Sequence, residues 1–129
     1  MKLIQIILPI LIFAVFLSVS NKQVYSQLKN GDDITVVGEV VDANCYMQEG
    51  TEATGSGHKD CAVTCGKAGS PLAILTKDGV LYYPIGGMGK NPNDKLMDYI
   101  ADKVEVKGKY YSQGTSNIGI KISSIKKSD

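Results

Sequence analysis

Arginine and tryptophan are absent from the 129 residues, histidine occurs once, and cysteine three times. With lysine as its only strong base, the chain lacks the planar fork that grips phosphate bidentately, which argues against a nucleic-acid partner. Phe13 and Phe16 are the only phenylalanines, so a core further along must be built from Val, Ile, Leu, Met and tyrosine. No pair of carboxylates stands out and no Ser, His and Asp set lies in a nucleophile motif, so an enzyme is not indicated. Residues 86–90, Gly-Gly-Met-Gly-Lys, lack the P-loop spacing and a following Ser or Thr, and read as a turn.

What is present begins with an apolar run. Lys2 precedes residues 3–19, which are interrupted only by Gln5, Pro9 and Ser18. This is the pattern of an export signal, with Val24 and Ser26 as the small residues a signal peptidase accepts, and cleavage is expected after Ser26. The run is slightly short of the ~20 apolar residues that span a bilayer, so an uncleaved membrane anchor over residues 3–19 is the second reading. All three cysteines lie at or beyond residue 45, which does not suggest N-terminal lipid attachment. The expectation is a signal peptide over 1–26 and a single domain over 27–129, working in the periplasm or outside the cell. Loss of Lys2 and Lys22 would leave that domain nearly neutral.

Residues 34–42 are rich in β-branched side chains and predict a strand, with Ile34, Val36, Gly38 and Val40 on one face. Gly38 in mid-strand predicts a bend, and residues 37–41 and 106–110 both carry such a glycine. Residues 48–58 are almost free of apolar side chains and predict a flexible loop. A short helix is expected over 59–67, with Asp60 as its cap and Gly66 as its stop. Residues 72–77 and 80–85 flank Asp78-Gly79, a hairpin signal. Asn91-Pro92 predicts the start of a helix to about residue 102, with Leu96, Met97 and Ile100 on one face. Two final strands follow, around 104–111 and 118–122. In each of the pairs Tyr82-Tyr83 and Tyr110-Tyr111, one ring is expected inside and the other in solvent rather than on a stacking surface. The order predicts a mainly β fold: a five-stranded OB-like barrel with one helix between strands 3 and 4 and a helical insertion after strand 1.

Cys45, His58, Cys61 and Cys65, every cysteine and the one histidine, fall within 21 residues. On a helix starting near His58, residues 58, 61 and 65 share a face, and Cys45 at the end of the first strand closes the set. Three thiolates and an imidazole suit zinc and, with fewer ligands in use, copper(I). The spacing C-x12-H-x2-C-x3-C is not that of a zinc finger, and Gly66 after Cys65 excludes a c-type haem site. Asp60 and Glu49 are at most accessory acceptors.

Export favours a disulfide instead. Cys61 and Cys65, four apart on an intact helix, stand too far apart for one, so Cys45 would pair with either and leave a thiol over. Three readings therefore stay open: a binding or carrier protein for zinc or copper, a thiol/disulfide redox module in which Cys61 near Lys59 is best placed for a lowered pKa, and a disulfide-stapled interaction module that binds a protein partner.

Residues 38–46 (Gly-Glu-Val-Val-Asp-Ala-Asn-Cys-Tyr), 57–65 (Gly-His-Lys-Asp-Cys-Ala-Val-Thr-Cys) and 69–75 (Gly-Ser-Pro-Leu-Ala-Ile-Leu) together resemble a group of small exported bacterial proteins with an OB-like domain. The likeness covers about residues 34–125 and implies a bacterial, exported domain without implying an activity. The His and Cys-x3-Cys arrangement is also similar to that of copper chaperones. Those have a thioredoxin-type fold and a distant histidine, so this likeness reaches only the ligand types.

Overall fold

A computed structural model describes residues 28–114 and 117–129; the apolar run over 3–19 and the cleavage point after Ser26 lie outside them. Among the described residues no helix is long and apolar enough to cross a membrane. The chain is mainly β, a five-stranded sheet with two short α-helices. Strands β1 (Asp33–Asp42), β2 (Leu72–Leu75), β3 (Leu81–Pro84), β4 (Lys103–Gln113) and β5 (Asn117–Lys127) pair in the order β1-β2-β3-β5-β4. The sheet closes on itself because β1 also pairs with β4.

β1 makes that closure possible by serving two neighbours in turn. Asp33 to Glu39 pair with β4, and Glu39 to Asp42 with β2. Gly38 stands at the switch, where an added Cβ would lie 2.3 Å from the Leu75 carbonyl oxygen. Only glycine lets the two backbones approach so closely. Gly108 fills the same role on β4, with a Cβ position 2.4 Å from the Lys121 oxygen, beside a register shift between Lys107 and Gly108. The mid-strand glycines are thus where the sheet coils.

The β1 face that carries Val36 and Val40 is the inner one: these two join Leu72, Ile74, Tyr82, Val104, Val106, Tyr110, Ile120 and Ile122 in one core. Tyr82 and Tyr110 are buried, Tyr83 is half-buried and Tyr111 is exposed, so each pair divides as the alternation requires. The Asp78-Gly79 turn forms too, with Gly79 at φ 81° and Thr76 N–H donating to the Val80 oxygen at 2.9 Å.

Between β3 and β4 the expected α-helix is replaced by two 3-10 turns, Pro92–Lys95 and Met97–Tyr99. Asn91 caps the first of them by accepting the Asn93 N–H at 3.0 Å. Helical continuation ends because Asn93 and Ile100 are committed elsewhere. Asn93 is buried and turns its carboxamide to the Leu72 N–H and to the Gly66 and Ser70 oxygens. Ile100 is extended and bridges Val40, while Ala101, at φ 66°, donates its N–H to the Val40 oxygen at 2.9 Å. Leu96, Met97 and Ile100 still face the core, as their spacing predicted.

The first connection also differs from expectation. α1 (Ala43–Glu49) follows β1 directly, and the 3-10 turns Gly50–Ala53 and Ser56–His58 occupy the stretch expected to be a loop. α2 (Lys59–Lys67) then runs over the predicted residues. Asp60 lies within its first turn, and His58 holds the cap position without a side-chain bond. Gly66 does not stop the helix: a Cβ there would stand 3.3 Å from Leu72 Cδ2 and from Met97 Sδ, so this glycine lets α2 pack on the core. The turn comes at Gly69, φ 102°, where Ser70 N–H donates to the Cys65 oxygen at 2.9 Å.

Candidate metal centre

The two helices are stitched together at one corner. Asp42, fully buried at the end of β1, accepts the Cys45 N–H through Oδ1 at 3.0 Å and so caps α1. Ala43 N–H donates to the Pro71 oxygen at 2.9 Å, and the Asn44 amide reaches Ser70 Oγ at 3.3 Å. These bonds pin the start of α1 against the segment leaving α2. Asn93 holds that segment from beneath.

The stitching brings Cys45 of α1 to Cys61 and Cys65, which share one face of α2 four residues apart. The three Sγ atoms all lie within 4.8 Å of one another. Three sulfurs around one ion at a metal–sulfur distance of about 2.3 Å stand roughly 4 Å apart, so a small contraction would seat a metal. The cysteines are free thiols; Cys61 is exposed and the other two are half-buried.

His58 is not in this group. Among the described residues the close set is Cys45, Cys61 and Cys65. His58 ends a 3-10 turn, with φ −102° and ψ 0°, instead of lying on the helix face. Its ring lines a small recess with Val40, Val41, Ala53, Ala62 and Ile100, and its Nε2 is enclosed without a hydrogen-bond partner. Glu49 and Asp60 are both exposed.

The electrostatics of the corner oppose bare thiolates. Burial, then the Asp42 carboxylate, then the charges of Cys61, Cys65 and Glu49 push the Cys45 thiol up to about 11. Cys65 is raised as well, by burial first, then by the charge of Cys61 and a hydrogen bond with it, and by Asp42, with a hydrogen bond from Cys45 acting the other way. Without a metal both therefore hold their protons at neutral pH, and a cation is what would make adjacent thiolates tolerable.

Asp42 and Asn93 are the residues that composition and spacing did not reveal. Asp42 reads as the end of a strand, and its capping role follows only from the helix beginning at the next residue. Asn93 sits one place beyond Pro92, where an Asn-Pro start draws attention to Asn91 instead. Compared with family models, curated proteins and solved structures, the chain shows no match.

Proposed function

We propose that this chain is an exported OB-like barrel domain that carries a soft transition-metal ion, zinc or copper, through Cys45, Cys61 and Cys65. The observation that carries the reading is the grouping of three sulfur donors within 4.8 Å, drawn from two helices, with Cys45 standing 16 residues before Cys61. Thiolate sulfur selects zinc and copper(I) over magnesium or calcium, which take oxygen. The strand order and the position of the insertion support the barrel assignment, and the apolar run at residues 3–19 supports export.

The test is elemental analysis paired with thiol counting on protein purified from the oxidising compartment. Stoichiometric zinc or copper, lost in Cys61→Ser, is expected. Metal-free protein with one free thiol would overturn the proposal and leave a disulfide-stapled domain. A thiol/disulfide module is the second reading, favoured by the contact between the Cys61 and Cys65 thiols. Against it, Cys45 and Cys65 are shifted away from the lowered pKa that a reactive thiol needs.

A further inference from the structure

The carrier reading leaves the coordination number open, and the placement of the side chains bears on it. Cys61 is exposed, whereas Cys45 and Cys65 are half-buried and Asp42 behind them is fully enclosed. Protein therefore lies on one side of the three sulfurs and solvent on the other. His58, the other candidate donor in the sequence, lies outside the close group; its Nε2 is enclosed without a hydrogen-bond partner, and the residue lines a separate recess with Glu39, Val40, Lys59 and Ile100. Asp42 spends one oxygen on the Cys45 N–H, and neither of its oxygens belongs to the close group. Sites closed by four protein ligands are structural, while three protein ligands leave a position through which another molecule can reach the metal.

Resting on the proposed carrier function, we infer that the centre is open: three cysteine ligands hold the metal, and its solvent-facing fourth position beside Cys61 accepts an incoming thiolate. The incoming thiol gives its proton to solvent, and its sulfur takes a position otherwise filled by solvent. No electrons move. The metal then passes to or from the protein by stepwise exchange of sulfur ligands, which suits a carrier and would be useless for a purely structural ion. His58 stays in its recess against β1 throughout.

Cobalt(II), a spectroscopic stand-in for zinc, tests this on the full domain in reduced form. Uptake is scored first, from the sulfur-to-cobalt charge-transfer absorption. Absence of one equivalent of bound cobalt, together with absence of one equivalent of copper(I) in a parallel anaerobic titration, overturns the carrier reading itself. With cobalt bound, 2-mercaptoethanol is titrated in and the ligand-field bands are followed, with retention of cobalt checked by gel filtration. The expected result is a saturable change in the bands with cobalt retained, and a His58→Ala protein with the same starting spectrum and the same titration. A starting spectrum that depends on His58 overturns the open centre, as does a spectrum that mercaptoethanol leaves unchanged. In either of those cases the protein is still a metal carrier, so the two failures are told apart.

Discussion

Asp42 holds Cys45 through the backbone and opposes its ionisation through charge. Its Oδ1 accepts the Cys45 N–H at 3.0 Å, and its carboxylate is the second cause, after burial, of the raised Cys45 pKa. The same charge raises Cys65. Asp42→Asn separates the two roles, because an asparagine oxygen still caps a helix while the charge is gone. In metal-free protein, alkylation of Cys45 and Cys65 followed by peptide mass mapping against pH should then shift to lower pH than in the unaltered chain, whose Cys45 titrates near 11. Asp42→Ala should in addition cost about 1 kcal/mol through loss of the cap. An unchanged pH profile in Asp42→Asn would remove the electrostatic account of this corner.

Asn93 makes three hydrogen bonds from a buried position: it accepts from Leu72 N–H at 3.0 Å and donates to the Gly66 and Ser70 oxygens at 3.3 and 2.8 Å. Truncation strands backbone groups on both α2 and β2 away from water, and each such group costs about 1–3 kcal/mol. Asn93→Ala is expected to lose about 3 kcal/mol, read as a lower urea midpoint at unchanged slope. Because Asn93 supports the segment to which α1 is tied, the variant should also bind cobalt more weakly. Asn93→Asp keeps the acceptor for Leu72 but turns a carboxylate oxygen toward the Gly66 and Ser70 oxygens, so at neutral pH it should cost at least as much as Asn93→Ala.

Much of this was legible from residue order, and the exceptions have physical causes. Strand alternation along Val36, Gly38 and Val40, the Asp78-Gly79 turn and the span of α2 each depend on local preferences that tertiary packing reinforces. α1 was not visible because Ala-Asn-Cys-Tyr-Met-Gln-Glu is only seven residues long, too short for its apolar spacing to repeat, and follows a β-branched run. Its formation depends on the Asp42 cap and on ties to Ser70 and Pro71, residues far along the chain. The segment after Pro92 carried a helical apolar spacing, yet the long-range bonds of Asn93 and the bridge of Ile100 to Val40 outweighed it. For the site, clustering in sequence pointed to the cysteines. The direction of His58, set by a 3-10 turn, lies beyond what spacing encodes.

Gly38 and Gly108 allow the sheet to close, and substitution there meets backbone atoms that cannot step aside. A Cβ at position 38 would fall 2.3 Å from the Leu75 oxygen, and one at 108 would fall 2.4 Å from the Lys121 oxygen. Gly38→Ala and Gly108→Ala are each expected to cost about 3 kcal/mol or more, by forcing strands apart at the coil points. Gly57→Ala, with nothing within 4 Å of its Cβ position, is the matched control and should stay close to the unaltered chain. Thermal melts of the three variants, followed by far-UV circular dichroism, test the contrast. Equal melting of all three would mean that the sheet does not depend on these close approaches.

Asp102 and Lys127 tie the entry of β4 to the end of β5, with Lys127 Nζ 2.9 Å from Asp102 Oδ2. The hydrogen bond from Lys127 lowers the Asp102 pKa, burial opposes it, and the charges of Lys127 and of Lys59 on α2 add to the lowering. Lys127 is raised by the same bond and by the Asp102 charge. A carboxyl with a lowered folded pKa contributes stability that is complete above its unfolded value of about 3.9 and disappears as pH falls through the folded value. An ammonium with a raised pKa contributes stability that is complete below about 10.4 and is lost as pH rises through its folded value. The difference in urea midpoint between the unaltered chain and Asp102→Asn should therefore be level from pH 5 to pH 9, shrink on acidification below about pH 4, and shrink again at alkaline pH. Lys127 is 68% exposed, so added salt should reduce the plateau. A difference that grows on acidification would reverse the sign and show that Asp102 is held in its neutral form.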